Sequence, residues 1–214
     1  MGNCLVTELK STVDDLNLQY LDGFVVRNLE STADKIVLLS LRPGTGTLLE
    51  GTWTYSSGNA VPSPHAFPSD YNQSTFMGAN TSIKVVDKRT LQIFNFTNQG
   101  SGAGGLVATN MTLDFFRASV ALTTLGLADT TSTGDVSCLA NLTSLQTLTL
   151  YGTNISGAIE SLAAAQVAKG RTSGTLQIKY GGSQITYGGQ TTTNRSATKT
   201  ITFSSSATGG YTIA

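Results

Sequence analysis

His65 is the only histidine of the chain and stands in Val61-Pro62-Ser63-Pro64-His65-Ala66-Phe67-Pro68. A serine or cysteine hydrolase would need it as the general base, fixed within hydrogen-bond reach of a nucleophile. Pro62, Pro64 and Pro68 instead point to an extended loop, a poor platform for a fixed triad. Zinc requires three or four Cys, His or carboxylate ligands at close quarters. His65, Cys4 and Cys138 fall in three separate regions, and the two cysteines are expected to be unpaired thiols, with Cys138 in the core. A glycosidase needs a carboxylate pair. Glu50, Asp70, Asp87, Asp114, Asp129, Asp135 and Glu160 each stand singly among polar residues. Gly44-Thr45-Gly46 lacks the later glycine and lysine of a phosphate loop and reads as a turn after Pro43. The chain is therefore expected to be no enzyme and to carry no metal and no cofactor.

Binding chemistry has better candidates. Trp53, Tyr55, His65, Phe67, Tyr71 and Phe76 crowd one stretch. Sugars stack on such rings and protein partners bury them, so Trp53, Tyr55, Phe67 and Tyr71 are candidate contacts. The competing reading is that Trp53 and Tyr55 share a strand face and pack inward.

Composition limits the partners. Charged residues are 12% of the chain, with 13 basic against 13 acidic, and there is no basic run. A phosphate backbone would find no electrostatic footprint, so no nucleic-acid partner is expected. The longest apolar runs, such as Ile36-Val37-Leu38-Leu39, are far too short to span a bilayer, and no membrane partner is expected. The start Met1-Gly2-Asn3-Cys4-Leu5-Val6 has no signal-like basic and apolar regions, and Val6 stands where a myristoylation signal needs Ser or Thr. Such a start suits a mature chain or a virion protein made in the cytoplasm. A surface of Thr, Ser, Asn and Gly with zero net charge gives little repulsion between copies. That favours life within an assembly.

The elements that would position these side chains show an internal repeat. Leu122-Thr123-Thr124-Leu125-Gly126-Leu127 recurs as Leu145-Gln146-Thr147-Leu148-Thr149-Leu150, an offset of 23 residues. The same offset maps Gly134 onto Gly157, Val136 onto Ile159 and Leu139 onto Leu162. The physical logic is a coil whose strand leucines point inward and stack on the next coil. These residues resemble the leucine-rich repeat family over 118–165. The family prefers Asn at the turn where this chain has Thr130 and Thr153, and threonine can also hydrogen-bond a turn backbone. Two coils are not stable alone. A looser Thr-apolar-x-apolar form continues at Thr90-Leu91-Gln92-Ile93, Thr112-Leu113-Asp114-Phe115, Thr175-Leu176-Gln177-Ile178 and Thr200-Ile201-Thr202-Phe203. It predicts a continuing strand ladder through Leu176 and Ile201, although 175–187 could instead be a hairpin. The step from Leu113 to Leu125 is too short for a coil, so one of the two must pair differently. Ile159, Leu162, Ala163 and Val167 predict a helix stopped at Gly170.

The coils imply a flat outward face. Thr124, Gly126, Thr147, Thr149 and Tyr151 alternate with the core leucines and are candidate binding residues for a protein neighbour or a surface glycan. Residues 1–22 stand apart, with Leu5, Leu9, Val13 and Leu16 on one face of a potential helix. They are too few for a core, so they either cap the first coil or attach the protein to a neighbouring subunit. The opening Leu5-Val6-Thr7-Glu8-Leu9-Lys10 with Tyr20-Leu21 resembles a short N-terminal segment of structural proteins from phages that infect gut Bacteroides-type bacteria. The expectation is a β-rich solenoid with short helices: an attachment or cap segment at 1–22, an irregular β-rich region at 23–117 and leucine-rich-repeat-like coils with C-terminal strands at 118–214. The resemblances imply a head-fibre, tail or decoration protein of a virion, homo-oligomeric and bound to other structural subunits. A bacterial cell-surface binding module of leucine-rich-repeat type is the alternative.

Overall fold

A unit of strand, turn and returning segment repeated at a fixed offset starts each strand from the same side, which gives a parallel ladder. The computed structural model describes residues 88–98 and 106–214 without interruption and, upstream, 24–27, 29, 35–42, 47–50, 53–55, 60–61, 65–66, 71–77 and 81–85. The upstream strands are β1 (Phe24–Arg27), β2 (Lys35–Arg42), β3 (Thr47–Glu50), β4 (Trp53–Tyr55), β5 (Ala60–Val61), β6 (His65–Ala66), β7 (Tyr71–Met77) and β8 (Ser82–Val85). The remainder are β9 (Ile93–Asn98), β10 (Thr124–Gly126), β11 (Thr147–Thr149), β12 (Ser156–Ala158), β13 (Thr175–Lys179), β14 (Gln184–Thr186), β15 (Thr198–Phe203) and β16 (Tyr211–Ile213). One α-helix, α1 (Ile159–Ala168), occurs among the described residues, with short 3-10 turns at Leu113–Phe116 and Val136–Leu139.

The main sheet is mixed and open, in the order β16-β15-β13-β11-β10-β9-β2-β7-β4-β5. Its centre is parallel: β9, β10, β11 and β13 run side by side, with Leu125 opposite Phe94 and Leu148, and Leu148 opposite Ile178. Both flanks are antiparallel, with β15 on β13 and β2 on β9. A second, smaller ladder forms where the chain turns back. It pairs Thr112 with Thr133, Asp135 with Ser156, and β12 with β14, all in parallel. The two 3-10 turns and α1 lie beyond it as a stacked row.

The core lies between these layers. Leu122, Leu125, Leu127, Leu145, Leu148 and Leu150 are all fully buried, with Leu113, Val136, Leu139, Ile159 and Leu162 facing them from the returning segments. Burying each such side chain contributes about 1.5–3 kcal/mol. Helix α1 forms where its unit has an alanine-rich stretch of strong helix formers. It buries Ile159, Leu162, Ala163 and Gln166, and ends at Gly170, whose φ is +91°. Gln166 is the polar member of this face. Its Nε2 donates to the carbonyls of Leu139 and Leu142, closing the open end of the neighbouring 3-10 turn, and its Oε1 accepts from Arg171.

Several expectations change here. The parallel ladder reaches back to β9, within the stretch 23–117 expected to be irregular. The segment 175–187 is no hairpin, because β13 pairs with β11 and β14 with β12. Ile201 does not continue the parallel run, since β15 returns antiparallel. Leu113 belongs to a 3-10 turn, which resolves its short distance from Leu125. Residues 1–22, with Leu5, Leu9, Val13 and Leu16, lie outside the described residues.

Candidate functional site

Strand alternation that sends the leucines inward turns another set outward. Register aligns these in two rows across the sheet: Ile93, Thr124, Thr147, Gln177 and Thr200, then Asn95, Gly126, Thr149, Lys179 and Thr198. Thr124, Thr147 and Thr149 are half-buried, as expected for neighbours on a close-set β surface. From β9 to β15 Lys179 is the only charged residue in the two rows, and the register continues the first row onto Arg42 of β2 and the second onto Ser40, so hydroxyl and amide groups dominate them.

Gly126 departs from the expectation. It is buried, because the side chain of Asn95 on the next strand lies across it. A Cβ at Gly126 would collide with Asn95 Oδ1, so the glycine makes room for the amide. Thr97 donates a hydrogen bond to that same oxygen at 2.6 Å and fixes the amide in place. At this point the outward chemistry belongs to Asn95, which reading the leucine repeat alone did not single out.

Tyr151 marks one end of the face, where the parallel strands run out into turns. Lys179 Nζ lies 4.6 Å and Arg195 Cζ 5.0 Å from the centre of its ring. Such cation contacts hold the ring at a polar surface. Arg195 also makes a two-pronged ion pair with Asp129. Burial pushes the Tyr151 pKa up and the Asp129 carboxylate adds to that, while Arg195 pulls it down. Tyr151 is therefore a neutral phenol across the physiological range. The segment carrying Arg195 packs directly on the third turn: Gly182 N–H donates to the Thr192 carbonyl, and a Cβ at Gly181 would strike the Asn194 backbone.

The turns at this end are built alike. Asp129, Gly152 and Gly182 occupy equivalent places and all have positive φ, +57°, +65° and +74°. A hydroxyl residue follows each. Thr130 Oγ1 donates to the Leu127 carbonyl at 2.6 Å and Thr153 Oγ1 to that of Leu150 at 2.8 Å, and Ser183 bonds the Tyr180 carbonyl in the same way. Each hydroxyl also accepts the backbone N–H two residues on. Thr130 and Thr153 thus bond the turn backbone, and Ser183 extends the series to a unit the leucine pattern does not mark.

The aromatic candidates lie elsewhere. Trp53 and Tyr55 are in β4, opposite Met77 and Thr75 of β7, and Tyr71 is in β7 opposite Leu41. Phe67 lies outside the described residues. His65 sits in the two-residue strand β6, paired with Leu49. Cys138 is half-buried; its thiol donates to Asp114 Oδ1 at 3.2 Å, and burial followed by that bond pushes its pKa up. A thiol held neutral in this way is a poor nucleophile. Among the described residues no group of three or more His, Cys, Asp or Glu could hold a metal ion, and no helix is long and apolar enough to cross a membrane.

Compared with known proteins, the chain matches no family model, no curated protein and no solved structure.

Proposed function

We propose that the protein is a non-enzymatic structural and binding component, a leucine-rich-repeat-like solenoid that serves in a phage virion as a head-fibre, tail or decoration protein. The observation that carries this reading is the pair of outward rows through Thr124, Thr147 and Thr149, set on a fully buried ladder of Leu125, Leu148 and Ile178. Such a surface is rigid, because each outward residue is held by a packed inward neighbour. It offers hydroxyl and amide groups with almost no charge, so association there would lose little in desolvating ions. Partners of matching chemistry are other structural subunits, further copies of this chain, and surface glycans. The turn hydroxyls of Thr130, Thr153 and Ser183 support the solenoid part, because they do what the family's turn asparagine does: they satisfy the turn backbone from inside the stack. The zero net charge and the N-terminal resemblance support the virion part.

Mass spectrometry of purified particles tests the placement. Peptides of this chain at structural copy number are the expected result. Recovery from the bacterial envelope and not from particles would overturn the virion placement and leave the cell-surface module as the reading.

A further inference from the structure

At the other end of the central parallel strands from Tyr151, where the chain enters each of them, four successive turns come together at 88–90, 117–121, 140–144 and 169–173. They enclose a cleft of about 570 Å³. Three of its lining residues are cations, Arg89, Arg117 and Lys169, and no carboxylate is among the described residues that line it. The chain has 13 basic residues in 214 and no net charge, so three around one cleft is a local concentration. Arg117 and Lys169 are exposed, and neither joins a salt bridge among the described residues. The nearby Asp114 carboxylate accepts from the Cys138 thiol and is not part of the lining.

The rest of the lining is not that of a simple ion site. Asn141 contributes an amide and Thr143 a hydroxyl. Val120 is 51% exposed, and Leu29 is the only other large hydrophobic so exposed among the described residues. A bare inorganic anion would use the cations and leave these three idle. A nucleic-acid backbone would need a longer basic track than three residues supply. A ligand with carboxylates, hydroxyls and the apolar face of a ring would use all of them. The volume falls within the range of clefts that hold small ligands.

We propose that this cleft binds an acidic oligosaccharide of the uronic-acid class, its carboxylates paired with Arg117 and Lys169, its hydroxyls with Asn141 and Thr143, and a ring face on Val120. The site is separate from the outward strand rows, so its success or failure does not depend on theirs. Calorimetric titration of the full chain tests it, with a galacturonic acid trimer, the neutral galactose trimer and inorganic phosphate as probes. The acidic trimer binds and the neutral one does not. Arg117→Gln and Lys169→Gln each weaken binding by about tenfold, the worth of one charged hydrogen bond, while melting temperatures show that both variants remain folded. Four results overturn the proposal: no binding of the acidic trimer, equal binding of the neutral trimer, phosphate binding as tight as the trimer, or an affinity that survives both substitutions together.

Discussion

The turn hydroxyls carry more of this fold than their size suggests. At Asp129, Gly152 and Gly182 the backbone enters the left-handed region, and the next residue seals the turn with one bond given and one received. Thr153 is buried, so neither its own hydroxyl nor the groups it serves can turn to water. Thr153→Val keeps the shape and removes the oxygen. Leu150 then loses the hydroxyl donor to its carbonyl and Ile155 the acceptor for its N–H, a cost of about 1–3 kcal/mol. Urea unfolding checks this, and Thr153→Ser, which keeps the oxygen, is expected to lose less than half as much. A serine as unstable as the valine would mean that the methyl group, not the hydroxyl, holds the turn. Gly152 is constrained twice, by its positive φ and by Asp129, whose carboxylate lies where a Cβ would go. The Asp129–Arg195 pair is more than half exposed on the arginine side, so its contribution to stability is screened. Its place is to hold the 190–197 segment over the last turns.

Among the elements, β10 and β11 each have a parallel neighbour on both sides, and β11 lies between β10 and β13. Leu148→Ala opens a cavity between Leu125 and Ile178 that neither rigid neighbour can fill, and costs about 2–5 kcal/mol in equilibrium unfolding. A loss well below that would mean that the leucines do not share one packed core. The leucine spacing and the α1 pattern were legible because both are local, and their periods of two and 3.6 differ. Strand direction was not. Ile201 and Phe203 alternate inward on β15 just as they would on a parallel strand, because alternation is the same whichever way a strand runs. In β9, aromatic residues stand in for leucine. Leu91, Phe94 and Phe96 fill the positions of Leu122, Leu125 and Leu127, whereas the motif Thr90-Leu91-Gln92-Ile93 suggested Ile93 as an inward residue. Ile93 lies in the outward row. Of the candidate site, the threonines followed from the leucine register. Asn95, Asp129 and Arg195 did not, since they meet the face through contacts between units that a single copy of the repeat cannot reveal.

For the molecule as a whole, the outward strand rows are the surface proposed to join the protein to its partners. Thr147 and Thr149 sit at the centre of those rows, with their backbone set by the parallel pairing and their side chains not part of the core. The most direct measurement is incorporation of the double variant Thr147→Lys, Thr149→Lys into particles, quantified against the unmodified chain, with the unfolding midpoint recorded alongside. The two charges would have to be desolvated at any interface formed there, at a cost of several kcal/mol. The expected result is an unfolding midpoint close to that of the parent and a large loss of incorporation. Undiminished incorporation of a folded variant would contradict it and remove this face as the contact.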